Sequence, residues 1–249
     1  CKSTMKPFEK LFTVLMAVYP LSDVLKEFLS QRVKMLKFKK NHILLRPGET
    51  ADYIYFISTG MLRAYYTDEK GKEQTFWLMK ELDMMASAFS FFTRQPGDLT
   101  IEVLEDCELI AIDYDTLEQV YKEFIEFNVI GRVLTQKYYA LSDERAMILR
   151  MTDRSDRYWY WYDRYSELEN RVKQKYIASY LGMSPDHLTA CGMSMGFAET
   201  VAAVNQVRMP RQGAREFAQF VGFEPAAPAR EATVLSSRTA SDPRVDSRR

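Results

Sequence analysis

The residues best placed to do chemistry lie in Arg171-Val172-Lys173-Gln174-Lys175-Tyr176-Ile177-Ala178-Ser179-Tyr180-Leu181-Gly182-Met183-Ser184-Pro185-Asp186-His187-Leu188, and the chemistry is recognition of double-stranded DNA. Lys173 and Lys175 carry the positive charge that phosphates attract, and the Gln174 amide adds a donor between them. Ser184, Asp186, His187 and Thr189 follow where the first turns of a second helix would meet base edges in a major groove. The elements that must hold these groups are written into the same stretch. Ile177, Ala178 and Leu181 form one helical face, Gly182 is free to take the left-handed conformation that ends a helix, and Ser184-Pro185 supplies an N-cap and a first-turn proline. Two short helices with a tight glycine turn make a helix-turn-helix, and small Ala178 suits the close crossing. A plain helical hairpin would satisfy the same spacings.

Other chemistries find little support. The only histidines are His42 and His187, and Cys1, Cys107 and Cys191 are scattered, so no disulfide framework and no metal site is expected. There is no glycine-rich phosphate loop ending in lysine and no Gly-x-Ser-x-Gly elbow, so no catalytic residues are expected either. Net charge is zero, and any pull on nucleic acid has to come from a local basic patch. No apolar run approaches the roughly 20 residues of a membrane span. The first residues alternate apolar with charged side chains, unlike a secretory signal, and a cytoplasmic location is expected.

The periodicity changes along the chain. Leu11, Leu15, Val18, Leu21, Leu25, Phe28 and Leu29 recur at helical spacing interrupted near Pro20, which predicts two short helices. From Met35 to Ile112 short runs of aromatic and β-branched residues are punctuated by Arg46-Pro47-Gly48-Glu49, Ser58-Thr59-Gly60, Asp68-Glu69-Lys70-Gly71-Lys72 and Gln95-Pro96-Gly97-Asp98, the pattern of a two-sheet roll or jelly roll. Helical spacing returns after Asp113. Ile130, Leu134, Leu141 and Ile148 are the expected seam of a dimer helix, the last three seven residues apart. A helix packed on its own β domain is the competing reading, and polar Lys137 and Glu144 weaken the companion column. A further helix is expected over 153–168, capped by Asp153 or Ser155, with the run Tyr158-Trp159-Tyr160-Trp161-Tyr162 packed into a core in preference to stacking on bases.

With these residues in place the chain resembles the Crp/Fnr family of transcription regulators, most closely the branch common in Bacteroidetes. The resemblance covers roughly residues 8–189. It is carried by Leu45-Arg46-Pro47-Gly48-Glu49, by 52–66 from Asp52-Tyr53-Ile54 to Ala64-Tyr65-Tyr66, by Ile101-Glu102-Val103-Leu104-Glu105-Asp106, and by 174–185 from Gln174-Lys175-Tyr176 to Met183-Ser184-Pro185. It implies a β-roll like those that bind cyclic nucleotides, a long dimerisation helix and a winged helix-turn-helix. The fold expected is therefore α+β: an N-terminal β-roll with flanking helices over 1–127, a dimer helix over 128–152, an incomplete helix-turn-helix over 153–190 and a divergent tail over 191–249.

The chain departs from that family twice. Members that bind cyclic AMP hold its phosphate with a Gly-Glu pair and an Arg followed by Ser or Thr. Here Ala86-Ser87 and Gly97-Asp98 stand at those places, and a carboxylate where a cation belongs repels the phosphate. Cyclic AMP is not the expected ligand, no cofactor is expected, and the effector pocket is assigned to Ala86, Ser87, Arg94, Gly97 and Asp98, with Arg94 close enough to swing toward an anion. The second departure follows Thr189, where basic residues give way to Ala190-Cys191-Gly192-Met193-Ser194-Met195-Gly196 and no lysine occurs beyond Lys175. Such a shift is that of a changed reading frame near Thr189, with a natural divergent tail as the alternative. Glycine costs about 1 kcal/mol in a helix interior, so the second helix is expected to fray early, and 226–249 reads as disordered.

The function expected is a homodimeric DNA-binding regulator that senses a small-molecule effector in the roll and relays it through the dimer helix. A sensor or interaction module with a degenerate DNA-binding part is the rival. A cupin-like enzyme would need a histidine and carboxylate cluster that His42 alone does not supply.

Overall fold

A computed structural model of the chain describes residues 7–193. It opens with α1 (Pro7–Met16) and α2 (Asp23–Arg32), separated at Pro20 as the spacing predicts. Leu11 and Leu15 on α1, like Leu25 and Leu29 on α2, are four residues apart and bury on one side of their helices. Ser22 caps α2, its Oγ accepting the Leu25 N–H at 3.2 Å.

Eight strands follow: β1 (Lys34–Phe38), β2 (Ile43–Leu45), β3 (Tyr53–Thr59), β4 (Leu62–Thr67), β5 (Glu73–Met79), β6 (Met84–Met85), β7 (Thr100–Val103) and β8 (Cys107–Asp113), with a short helix α3 (Ala88–Thr93) between β6 and β7. They form two four-stranded antiparallel sheets, ordered β1-β8-β3-β6 and β2-β7-β4-β5. The inner faces meet through Ile57 and Leu109 of one sheet and Leu62, Ala64, Ile101 and Val103 of the other, all buried in one core with α1 and α2. The β3–β4 turn depends on Gly60, whose φ is +92° and whose missing Cβ would lie 2.5 Å from Cys107 Sγ and 2.6 Å from the Asp106 carbonyl oxygen.

After α4 (Tyr114–Glu123), capped by Asp113, the long helix α5 runs from Ile125 to Arg150, beginning three residues earlier than 128. Here the expected seam is corrected. Ile130 and Ile148 are buried inside their own chain, and Leu134 packs against the roll core. At 100° per residue Ile130, Leu134, Leu141 and Ile148 lie within about 40° of one another, and Leu141, on the same side, is half-buried. The open side of α5 carries Ile125, Asn128, Arg132, Thr135, Tyr139 and Ser142, with Tyr139 76% exposed.

The last described elements are α6 (Arg154–Tyr165), a single 3-10 turn (Ser166–Leu168), α7 (Gln174–Tyr180) and α8 (Pro185–Met193). Asp153 caps α6 by accepting the Ser155 and Asp156 N–H groups. Of the aromatic run, Tyr158 and Trp161 are buried, and Trp159, Tyr160 and Tyr162 pack against them, which is the core role expected of it. This second core also takes in Ile148, Val172, Ile177, Leu181 and Leu188, and it reaches the roll at Met61 and Leu104. Of the two glycines expected to fray the second helix, Gly192 lies inside α8, which runs to Met193, while Gly196 and most of the tail expected over 191–249 lie outside the described residues.

Candidate functional site

α7 and α8 form a tight corner. Its turn is made at Gly182, with φ +65° and Leu149 Cδ2 3.1 Å from where a Cβ would stand. The Gly182 N–H donates to the Ser179 carbonyl and the Met183 N–H to the Ala178 carbonyl, which closes α7 before α8 begins. Ala178, Ile177 and Leu181 are buried at the crossing. Ser184 starts α8, its Oγ accepting the His187 N–H at 3.3 Å.

The residues expected to meet DNA all lie on this corner. Lys173, Gln174 and Lys175 are exposed at the start of α7, the two ammonium groups 5.7 Å and 5.0 Å from the Tyr176 ring centroid. Asp186 and His187 are exposed on the first turn of α8, while Ser184 and Thr189 are half-buried. The Thr189 hydroxyl donates back to the Pro185 carbonyl at 3.0 Å, so its proton is spent inside the helix. His187 is clamped: Nδ1 lies 2.7 Å from Ser184 Oγ, and Nε2 lies 3.1 Å from Arg154 Nη1. Since arginine can only donate, Nε2 accepts there and the ring proton belongs on Nδ1. Arg154, at the start of α6, thus adds a cation beside α8, and only the fold brings it there.

The opposite side of the corner docks on the roll. Ser179 Oγ accepts the Thr75 N–H at 2.8 Å and donates to the Glu73 carbonyl at 2.9 Å, while Arg145 of α5 donates to the Thr75 carbonyl at 2.6 Å. Edge strand β5 is covered rather than left open. Arg63 on β4 is fully buried, bonded to Glu73, Glu102 and Thr75, and its guanidinium lies 3.8 Å from the Tyr176 ring centroid and 4.1 Å from that of Tyr65. Arg171 donates to both Glu81 and Glu105, and the hydrogen bonds it gives to Glu105 and then to Glu81 hold it still more firmly protonated. The hydrogen-bonded roll partners of Arg171 and Ser179 are 66 to 106 residues away in sequence, which is why reading the segment alone does not reveal them.

The five residues expected to form an effector pocket, Ala86, Ser87, Arg94, Gly97 and Asp98, surround the start and end of α3. Ser87 and Gly97 do come together: a Cβ on Gly97 would stand 3.2 Å from Ser90 Cβ and 3.4 Å from Ser87 Oγ, so a side chain at 97 would crowd both serines. Ala86 is half-buried and Asp98 exposed. Arg94 is turned away, donating to the Ala51 carbonyl at 2.7 Å and to Asp52 Oδ1 at 2.8 Å. A cavity of about 410 Å³ opens instead beside these partners, lined by Leu44, Leu45, Glu49, Thr50, Ala51, Asp52, Tyr53, Tyr55 and Ile101. None of the five expected residues lies on its wall. Its one legible signal is Glu49, which ends the Arg46-Pro47-Gly48-Glu49 turn.

Comparison with known proteins agrees with the fold. Residues 35–124 match the cyclic nucleotide-binding domain. An anaerobic regulatory protein of Bacillus subtilis is 30% identical over 107 residues, 43% of each chain. A 4-nitrobenzoate reductase of Pseudomonas putida is 41% identical over 51 residues, 20% of this chain and 22% of its own. The chain thus spans less than half the length of these curated relatives. A crystal structure from Eubacterium rectale, assigned to the Crp/Fnr family of transcriptional regulators, superposes with a TM-score of 0.57 at 18% identity, covering 71% of this chain and 84% of that one. Residues 35–124 therefore have the fold of the cyclic nucleotide-binding domain, a β-roll with flanking helices, and the neighbour from Eubacterium rectale is a regulator of the Crp/Fnr type. Among the described residues no helix is long and apolar enough to cross a membrane.

Proposed function

We propose that the chain is a DNA-binding transcription regulator of the Crp/Fnr type, not an enzyme, whose roll senses a small molecule and whose α7–α8 corner is a helix-turn-helix. The observation that carries this reading is the two-sidedness of the corner. One side, with Ser179, Tyr176 and Arg171, is bonded to the roll, while the other presents Lys173, Gln174, Lys175, Asp186 and His187 to solvent. A roll ligand that prefers one arrangement of this joint shifts the corner by as much as its affinities for the two arrangements differ. The partner is double-stranded DNA read by two copies, and the second copy packs on the open side of α5 rather than on the buried column.

The effector is not cyclic AMP. Support comes from Ala86-Ser87 and Gly97-Asp98 standing where a Gly-Glu pair and an Arg followed by Ser or Thr belong, and from the engagement of Arg94 by Asp52. The rival, a sensor that has lost DNA binding, is favoured by the absence of lysine after Lys175. Titration of a labelled palindromic duplex at rising salt decides between them: a regulator loses affinity steeply as salt rises, and the absence of binding at low salt overturns the proposal.

A further inference from the structure

We infer that Arg154, at the start of α6, is a phosphate contact of the corner, and that His187 is its positioning residue and not a reader of bases. The inference rests on the reading of α7–α8 as a helix-turn-helix and adds to it a contact from a third helix.

Both ring nitrogens of His187 are spent inside the protein. Nε2 accepts from Arg154 Nη1 at 3.1 Å, which leaves the ring proton on Nδ1, 2.7 Å from Ser184 Oγ. A neutral ring held at both ends has no nitrogen left to offer a base edge, although His187 is exposed on the first turn of α8. Arg154 is in the opposite position. It is exposed, one N–H goes to His187, and its Nε and Nη2 groups find no acceptor among the described residues. The Ser184 hydroxyl, accepting from the ring and from the His187 N–H at 3.3 Å, keeps its own proton to give away.

A stabilising role does not account for where Arg154 stands. Acidic side chains lie close by in sequence: Asp153 before it, Asp156 two residues on, and Asp186 beside His187. Arg154 pairs with none of them among the described residues, and Asp153 Oδ1 instead accepts the Ser155 and Asp156 N–H groups. Its guanidinium lies where α6 and α8 both begin, at helix ends whose unpaired N–H groups carry partial positive charge and disfavour a cation. An incoming phosphate reverses that sign, because arginine offers paired donors to its oxygens and both helix ends then face an anion. Neutral His187 suits the holding role. It takes one N–H of the guanidinium without cancelling its charge, as a carboxylate would, and so fixes the group while leaving it cationic.

Titration of the full chain with a labelled mixed-sequence duplex over a range of salt tests the inference. Arg154→Ala is expected to weaken binding about three- to tenfold at moderate salt and to lower the salt slope by about 0.9, alike for all sequences. His187→Leu leaves nothing to hold the guanidinium and should weaken binding about two- to fivefold, yet in the Arg154→Ala background it should change affinity by less than about twofold. Losses that add in the double variant mean that His187 touches DNA itself, and overturn its positioning role. An unchanged slope with Arg154→Ala overturns the contact. Lys173→Ala with Lys175→Ala then separates the two readings, since it still lowers the slope of a chain that docks through α7 without Arg154. A parent that binds no duplex at low salt overturns both. The thermal midpoint of Arg154→Ala is expected at or above the parent's, a cation having left two positive helix ends; a marked fall assigns Arg154 to folding and overturns the inference.

Discussion

Arg171, on the segment leading into α7, grips Glu81 in the turn after β5 through two parallel hydrogen bonds, Nη1 to Oε2 at 2.9 Å and Nη2 to Oε1 at 2.8 Å. Its Nε and Nη2 also reach Glu105 at 2.9 Å and 2.6 Å, so one guanidinium keeps two carboxylates of the roll together. Arg171→Met removes that bridge and leaves the carboxylates to repel each other. The loss expected in urea unfolding is about 1–3 kcal/mol, smaller at high salt, and Glu81→Gln in the same chain should restore part of it. Burial pushes the Glu81 carboxyl up, but Arg171 and the Gly60 N–H outweigh it and hold the group below its ordinary range. A carboxyl depressed in the fold contributes stability above its unfolded pKa and loses it as pH falls through the folded value. Arg171→Met should therefore flatten the acid limb of the stability profile; an unchanged limb would remove Arg171 from the account.

Asp83 has the opposite sign. It lies 3.7 Å from Lys137 of α5, and burial raises its carboxyl above the ordinary value despite that lysine and the Lys80 N–H. The folded chain keeps this proton at a pH where the unfolded chain has lost it, so stability falls as pH rises from the ordinary carboxylate range through the folded value. Asp83→Asn retains an acceptor for the Lys80 N–H and has no charge to bury. It should unfold at higher urea than the parent at neutral pH, with the difference vanishing in acid. A variant less stable at neutral pH would mean that attraction to Lys137 exceeds the burial cost.

Gly60 gives a sharper test of the roll. Gly60→Ala has to adopt φ +92° and place a methyl carbon 2.6 Å from the Asp106 backbone oxygen, which cannot yield without moving the β7–β8 turn. A loss of about 3 kcal/mol or more is expected in chemical denaturation. Gly71→Ala, at φ +76° with nothing within 4 Å, carries only the conformational part and should cost less.

The helices, strands and corner were legible because their signals are local. Pro20 breaks a helix, Gly182 ends one and Asp153 caps one whatever lies elsewhere. The column Ile130, Leu134, Leu141 and Ile148 shows why the rest was not. A hydrophobic stripe records that a helix face is covered, and burial against the roll writes the same pattern as burial against a second copy. Arg171 and Ser179 were visible as residues, but their partners Glu81, Glu105 and Thr75 come from strands and turns of the other unit. The cavity shares this difficulty: Glu49, Tyr55 and Ile101 become neighbours only when two sheets close.

The corrected face of α5 separates two variants that the sequence would treat alike. Ile148→Ala removes a buried side chain from the second core and should cost about 2–5 kcal/mol in unfolding. Tyr139 is 76% exposed, and Tyr139→Glu should leave the unfolding free energy of the isolated chain within about 0.5 kcal/mol. In sedimentation, however, Tyr139→Glu is the variant expected to lower the proportion of dimer. A dimer insensitive to Tyr139→Glu would place the second copy on another surface.

Contact with phosphate has a signature distinct from loss of fold. Each lysine that neutralises a phosphate on duplex DNA steepens the fall of log affinity with log salt by about 0.9. Lys173→Ala with Lys175→Ala, on an exposed turn with only Tyr176 beneath the ammonium groups, should lower that slope by roughly 2 and weaken all sequences alike. Lys122→Ala, at an exposed lysine of α4 remote in sequence from the corner, is the control. If it lowers the slope by as much per lysine as the corner pair does, attraction is to the whole molecule and not to α7. If the corner pair alone changes the slope, the exposed start of α7 lies against the phosphate backbone, with the roll fastened to the other side of the same seven-residue helix.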